Sequence, residues 1–105
     1  MSPQMTLTDY KRRARIIKAM AHPSRLAMLD ALANGERCVC ELQRLVGSDM
    51  STVSKHLAVL KRAGLVEDRK QGLWVHYRLR VPCILEFMHC VEAVLDEKTA
   101  CCART

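Results

Sequence analysis

The sequence has no apolar run that approaches the roughly 20 residues needed for a membrane-spanning helix. It also has no N-terminal apolar stretch followed by a small-residue cleavage site, which is the pattern of a secretory signal peptide. Internal repeats, low-complexity segments and long linkers are absent as well. These absences argue against a membrane or secreted protein and predict a single cytoplasmic domain over residues 1–105, with room for one modest core.

Acidic residues are few, with 11 Asp and Glu against 17 Lys and Arg, so the formal net charge is +6. The imbalance is concentrated in residues 51–80, where seven basic residues and two acidic ones leave an excess of five positive charges. A basic surface of this kind attracts polyanions such as nucleic acid, although it can also be a solvated face that only aids solubility. Charge alone leaves both interpretations open.

The first half of the chain has the pattern of short helices. Thr6 or Thr8 can cap a first helix, and His22-Pro23-Ser24 predicts the start of a second one, because proline fits the first turn of a helix. Asn34-Gly35 predicts the end of that second helix. A third, short helix is expected to begin near Arg37.

After a break at Gly47-Ser48-Asp49, the apolar residues Val53, Leu57 and Leu60 predict a fourth helix that buries one face. A short helix, a tight turn and a second helix form a helix-turn-helix, in which the start of the second helix contacts base edges in the major groove. Ser51 and Thr52 can instead cap the helix, and both roles can coexist. The residues predicted to contact double-stranded operator DNA are Ser51, Thr52, Ser54, Lys55 and His56.

The periodicity then changes to that of strands. Residues 65–69 and 74–79 are expected to pair as a hairpin across Lys70-Gln71-Gly72, with a basic tip in which Arg69 and Lys70 act as a wing on the neighbouring groove. Pro82 opens a last helix whose apolar stripe is unusually wide, which favours packing on a partner but also fits an ordinary buried helix. The predicted fold is mainly α with a β-hairpin wing, a winged helix-turn-helix.

Three segments carry a resemblance to a known family: "HPSRLAMLDAL", "ERCVCELQRLV" and "STVSKHLAVLKRAGLVEDRKQGLWVHYRL". Together, over about residues 10–97, they resemble the ArsR/SmtB family of metal- and metalloid-responsive winged-helix repressors. The resemblance implies a homodimer built from the first and last helices. It also implies a repressor that leaves its operator when an inducer binds.

Two of the six cysteines, Cys38 and Cys40, are separated by one residue in "ERCVCEL". In a cytosolic chain, cysteines favour metal binding or redox sensing over a disulfide framework. Within the family the segment resembles the arsenite and antimonite sensors, which implies As(III) or Sb(III) as the inducer and no constitutive cofactor. Thiolates are the ligands that suit such soft ions, and a helix N-terminus raises the thiolate fraction.

The spacing of the two cysteines limits the mechanism. Residues i and i+2 lie roughly 200° apart on a regular helix, so both thiols cannot face one atom there. Either the helix begins after Cys38, or inducer binding unwinds its first turn. Both thiols can also be small packing residues. Our hypothesis is that chelation distorts the helix that supports the recognition helix and so weakens the grip on DNA.

The third ligand is open. Related arsenic sensors can carry a third cysteine three residues after the second, and Gln43 occupies that position here. The tail over residues 99–105 is expected to be flexible, and its Cys101 and Cys102 can supply a thiolate, form a separate site or remain idle. A solution thiol is another candidate for the third ligand. Cys83 and Cys90 lie on the predicted last helix near the dimer seam and are expected to be packing residues there.

Other classes of function predict other features. A persulfide or redox sensor of this fold is the nearest alternative, but related sulfur-responsive repressors carry a cysteine on the second helix, and residues 22–33 have none. A sensor of another soft metal such as Cd, Pb or Zn is also open, although the zinc-ligand pattern around His89 and Glu92 is incomplete. A constitutive DNA-binding module remains possible. No enzyme is predicted, since 105 residues of winged helix leave little room for a catalytic cleft.

Overall fold

The computed structural model describes residues 4–96, so the predicted tail with Cys101 and Cys102 lies outside the described residues. Its helices are α1 (Leu7–Met20), α2 (Pro23–Ala31), α3 (Val39–Val46), α4 (Met50–Arg62) and α5 (Ile84–Leu95), and a short 3-10 turn, Leu32–Asn34, follows α2. Its strands are β1 (Arg37–Cys38), β2 (Val66–Gln71) and β3 (Trp74–Leu79). The helices, the break and the hairpin follow the predicted order.

Side-chain caps define where the helices begin. The backbone N–H of Asp9 donates to Oγ1 of Thr6 (3.3 Å), and the backbone N–H of Thr6 donates to Oδ2 of Asp9 (3.0 Å), which confirms Thr6 as a cap. Pro23 occupies the first turn of α2, as predicted. At α4 the cap is Asp49, whose Oδ1 accepts from the backbone N–H of Thr52 (3.2 Å). Ser51 and Thr52 are therefore not the cap of α4.

The core is formed by α2, α3, α4 and the start of β2. Its fully buried side chains are Met28, Leu29, Leu42, Val53, Leu57, Leu60 and Val66. Burial of each such side chain stabilises the fold by roughly 1.5–3 kcal/mol. Because Val53, Leu57 and Leu60 bury one face of α4 in this core, the opposite face of that helix remains exposed.

The sheet has three antiparallel strands in the order β1-β3-β2. The two-residue strand β1 was not predicted, since two residues give no periodic signal; Arg37 pairs with Tyr77, and Cys38 pairs with His76. The hairpin turn is also different from the prediction. Strand β2 continues to Gln71, so the tip is Gly72-Leu73, with Gly72 at φ +65° and Leu73 97% exposed.

The expectation of a basic hairpin tip is therefore wrong, because Arg69 and Lys70 lie within β2. The pairing of Lys70 with Val75 and of Gln71 with Trp74 carries the ladder two residues beyond the predicted end of the strand. The positive φ that the turn needs is supplied by Gly72, which has no side chain to clash.

Two helices keep apolar side chains outside the core. No side chain of α5 is buried, and Phe87, Val91, Val94 and Leu95 are exposed. On α1, the residues Leu7, Tyr10 and Ile17 are at least half exposed. These side chains form two uncovered apolar stripes on the described part of the chain.

Candidate thiol site and nucleic-acid interface

Cys38 and Cys40 lie together at the start of α3. Cys38 is the last residue of β1 and the N-cap of α3, whereas Cys40 is the second residue of the helix. Their Sγ atoms are 2.8 Å apart, with Cys38 buried and Cys40 half-buried. Of the two arrangements that the spacing allowed, the helix thus begins after Cys38, and the two thiols converge without unwinding.

The two thiols differ in acidity. The pKa of Cys40 is lowered, first by its hydrogen bond with Cys38 and then by the nearby guanidinium of Arg44, while burial opposes the shift. The pKa of Cys38 is raised, first by its hydrogen bond with Cys40 and then by burial. Cys40 is therefore the first thiol to ionise, and its thiolate is the better nucleophile and metal ligand.

The cation beside Cys40 is Arg44, not Arg37. Arg37 lies 3.8 Å from Glu41 in an ion pair. The i, i+4 spacing of Cys40 and Arg44 on one helix is a signal in the sequence that could have identified this neighbour.

Backbone hydrogen bonds hold residues 38–40, the thiol loop, in place. The backbone N–H of Cys38 donates to Oε1 of Glu41 (2.9 Å), and the backbone N–H of Cys40 donates to Sγ of Cys38 (3.4 Å). Gln43, at the position of the third cysteine in related sensors, donates from Nε2 to the carbonyl oxygen of Ser48 (3.4 Å). Gln43 therefore braces the turn between α3 and α4 and offers no sulfur.

The sheet connects the thiol loop to the wing. Cys38 pairs with His76, and His76 pairs with Arg69, so these three residues form one row across β1, β3 and β2. Nε of Arg69 donates to Oε2 of Glu36 (3.2 Å), and this contact lowers the pKa of the Glu36 carboxyl. The Nδ1 atom of His76 is buried and has no hydrogen-bond partner among residues 4–96.

Further ligands are not arranged around the pair. Among residues 4–96, no group of three or more His, Cys, Asp or Glu side chains is placed to hold a metal ion. Cys83 and Cys90 are exposed on or next to α5 in the described chain, so their packing near the dimer seam stays a prediction. Cys101 and Cys102 stay predicted ligands outside the described residues.

The predicted DNA-contacting residues on α4 have different environments. Ser51, Ser54 and Lys55 are exposed, and Thr52 is half-buried with its backbone N–H bonded to Asp49. Lys55 has no ion pair within residues 4–96. Three of these side chains are thus free to approach a groove.

His56 is different, and its prediction as an exposed contact is wrong. It is only 9% exposed, its Nδ1 accepts a hydrogen bond from Nε of Arg25 (3.1 Å), and its ring centroid is 4.3 Å from that of His22. Burial is the main reason why the pKa of His56 is lowered. The signal was present in the sequence, since His56 occupies position i+3 of the buried i, i+4, i+7 series that begins at Val53.

On the wing, most basic residues already have acidic partners. Arg69 is paired with Glu36 and Arg78 with Glu67 (2.8 Å), and Asp68 of the wing is paired with Lys61 of α4 (3.0 Å). Lys70 is exposed and has no ion pair within the described chain. Of the two predicted wing contacts, Lys70 is therefore the one with an uncompensated charge.

Comparison with known proteins shows which regulators this chain is similar to. Residues 22–68 match the sequence profile described as "Bacterial regulatory protein, arsR family". The chain is 44% identical over 66 residues to the arsenical resistance operon repressor of Escherichia coli; the match covers 62% of this chain and 56% of that protein, a little over half its length. It is 42% identical over 72 residues to an HTH-type transcriptional regulator of Methanocaldococcus jannaschii, covering 68% of this chain and 81% of that one.

A solved structure shares the fold. The homodimeric winged helix-turn-helix DNA-binding domain of a possible ArsR-family regulator from Mycobacterium bovis superposes with a TM-score of 0.76 at 34% identity, covering 95% of this chain and 94% of that one. Within residues 4–96 no helix is long and apolar enough to span a membrane. The profile, the relatives and the common fold agree, and the chain belongs to the ArsR family of bacterial winged helix-turn-helix regulators.

Proposed function

We propose that the protein is a repressor that binds operator DNA as a homodimer and leaves it when As(III) or Sb(III) binds Cys38 and Cys40. The observation that carries the proposal is the 2.8 Å separation of the two Sγ atoms at the start of α3. Sulfur atoms this close can bond to one thiophilic atom after a small rotation of their side chains. The name of the Escherichia coli relative, an arsenical resistance operon repressor, supports the same inducer.

The capture chemistry follows from the acidities of the two thiols. The Cys40 thiolate attacks first, since its pKa is lowered, and forms one arsenic–sulfur bond as a hydroxide leaves arsenous acid. The Cys38 thiol then forms the second bond, and its proton leaves with the next hydroxide as water. Overall, two thiols and one arsenous acid give a cyclic dithiolate with one hydroxyl left on arsenic and two molecules of water.

The DNA-binding step uses the exposed face of α4. That helix would enter the major groove with Ser51, Ser54 and Lys55 toward base edges and phosphates, while Thr52 lies at the rim. Lys70 on the wing would contact the neighbouring backbone.

The homodimer would bury the apolar stripes of α1 and α5, which are uncovered on the described chain. The homodimeric state of the Mycobacterium bovis domain supports this assembly. A dimer also places two copies of α4 for two half-sites of the operator.

Transmission would run through the packing of α3 on α4. Leu42 of α3 lies in the same buried cluster as Val53 and Leu57 of α4. A displacement at the start of α3 would therefore change the packing, and so the position, of the recognition helix α4. A hundredfold loss of DNA affinity requires the two states to differ by about 2.7 kcal/mol in inducer binding. Two bonds to soft thiolates can supply that difference.

The test measures duplex affinity with and without arsenite. A duplex enriched from a random library by the arsenite-free protein is titrated with the wild type, with the double variant Cys38→Ser and Cys40→Ser, and with the control Cys83→Ser and Cys90→Ser. Arsenite should release the wild type and the control from DNA, and the first double variant should stay bound. Release of that variant, or retention of the wild type, would refute the proposal.

Participation of the tail is tested in the same assay. Cys101→Ser with Cys102→Ser should weaken the response if a tail thiolate is the third ligand. X-ray absorption of the arsenite-loaded protein counts the sulfur neighbours directly, with three for a tail or solution thiol and two when a hydroxyl remains.

A thiol redox sensor is the second candidate, because two sulfurs this close can also be oxidised to a disulfide. Persulfide or peroxide would then release the duplex, with the oxidant as the electron acceptor, and arsenite would not. Release by the oxidant alone would favour the redox function over metalloid sensing.

A further inference from the structure

We infer that His76 accepts a hydrogen bond from the hydroxyl that remains on the metalloid after Cys38 and Cys40 have bound it. The inference rests on the proposed function and adds a positioning residue from the wing strand β3 to a site built at the start of α3. It makes the site selective for hydroxylated metalloids over those that carry an organic group in that position.

The first reason is the location of His76. Cys38 and His76 are paired residues of β1 and β3, so their side chains stand next to each other on the same face of the sheet. Side chains of directly paired residues in antiparallel strands have Cβ atoms about 4.5–5.5 Å apart. An atom bonded to the Cys38 sulfur is therefore within reach of the imidazole.

The second reason is an unused acceptor. Nδ1 of His76 is buried and has no hydrogen-bond partner among residues 4–96. Buried polar atoms are nearly always paired, and leaving one unpaired costs about 1–3 kcal/mol. A neutral imidazole has one acceptor nitrogen, and here Nδ1 takes that role if the proton is on Nε2.

The third reason is the chemistry of the captured species. Arsenous acid has three hydroxyls, and two are replaced by sulfur, so the bound form keeps one O–H donor. Within the described chain no third thiol accompanies the pair, and Gln43 is engaged with Ser48. The donor of the ligand, held at Cys38, and the unpaired acceptor of His76 would thus lie on neighbouring strands, β1 and β3.

The neighbour of His76 on β2 belongs to an ion pair. In its row, His76 lies between Cys38 and Arg69, and Arg69 is compensated by the carboxylate of Glu36. The ion pair leaves no net charge beside the imidazole from these two groups.

The experiment compares arsenite with phenylarsine oxide, in which a phenyl group occupies the position of the remaining hydroxyl. Both reagents can bond to two thiols, but only arsenite leaves an O–H. His76→Leu and His76→Asn form a matched pair, because the two side chains have nearly the same shape and only asparagine offers an acceptor. His89→Leu, on the exposed face of α5, is the control.

Binding is measured by titration calorimetry on the full chain, reduced with a thiol-free phosphine. His76→Leu should lose about tenfold in arsenite affinity relative to His76→Asn, the size expected for one hydrogen bond. The two variants should bind phenylarsine oxide equally well, and His89→Leu should behave as the wild type with both reagents. Equal arsenite affinities of the two variants, or equal losses with both reagents, would overturn the inference.

A measurement on the wild type guards against a misfolded variant. The 15N resonance of His76 Nδ1 should shift on addition of arsenite in the direction of a hydrogen-bonded acceptor, and phenylarsine oxide should not cause this shift. No shift with saturating arsenite would overturn the inference as well. If the wild type binds neither reagent, the proposed function itself fails, and that result is distinguishable from a failure of His76 alone.

Discussion

The starts of α3 and α4 use the same device, a side-chain cap, but their surroundings are opposite. Cys38 caps α3 while it is also paired in β1 with His76 and bonded to Glu41. Asp49 caps α4 in the open, and beyond it Ser51 and Lys55 point away from the protein. The start of α3 is thus fixed by strand pairing as well as by its cap, whereas the start of α4 has only its cap and the core behind its buried face.

This difference teaches how sensing and DNA binding can be separated on a small domain. A site that must capture an ion gains from groups held in place before binding, since less ordering is needed then. A surface that must fit a groove needs uncovered side chains instead. We therefore expect changes at the start of α3 to alter the inducer response, and changes on the exposed face of α4 to alter duplex affinity.

The largest effect is expected from neighbours on α4 with opposite environments. His56→Ala should lower the free energy of unfolding by about 2 kcal/mol, because it leaves a cavity and removes the acceptor of Arg25. Lys55→Ala should leave stability within about 0.5 kcal/mol of the wild type and weaken duplex binding about tenfold. Urea unfolding and DNA titration of both variants measure the contrast. A stable His56→Ala with weakened DNA binding would break it.

An intermediate effect is expected on the pH dependence of inducer capture. The rate of reaction with arsenite should follow the Cys40 thiolate, which decreases as pH falls through the Cys40 pKa. Since Arg44 helps to lower that pKa, Arg44→Gln should raise the pKa of Cys40 and shift the pH–rate profile to higher pH. Stopped-flow measurements between pH 5 and 9 follow the reaction, with the chemically similar Arg37→Gln as control. An unchanged profile for Arg44→Gln would remove Arg44 from the site.

The smallest effect is expected on the wing. Lys70→Ala should reduce the slope of log affinity against log salt concentration by about one, as for the loss of one phosphate contact. Arg69→Ala should change the slope less, because Glu36 already compensates its charge. Duplex titrations at four salt concentrations distinguish them. Equal slopes for the two variants would mean that DNA releases Arg69 from Glu36.

Much of the architecture could be predicted because it depends on neighbouring residues. Thr6, Pro23 and Gly47 act within a turn of their own position, so the helix boundaries follow from local chemistry. The alternation of apolar and polar residues over 74–79 was likewise sufficient to predict strand β3. The hairpin tip was misplaced by two residues, since a run of polar residues shows no alternation to mark where β2 ends.

His56 was misassigned for a related reason. A polar residue in an apolar series is ambiguous until its partners are known, and Arg25, 31 positions earlier in the chain, is the partner that makes burial possible. Strand β1 was missed because its pairing with Tyr77 and His76 of β3 is entirely long-range.

The sequence by itself determined the family, the order of the elements and the two adjacent sulfurs, since each depends on residue type and short spacing. Only the tertiary structure decided that the helix begins after Cys38, that the pKa of Cys40 is lowered while that of Cys38 is raised, and that His76 is paired with Cys38. These properties depend on which strands meet and which atoms are buried. Distances through space set hydrogen bonds and pKa values, and a linear pattern does not contain those distances.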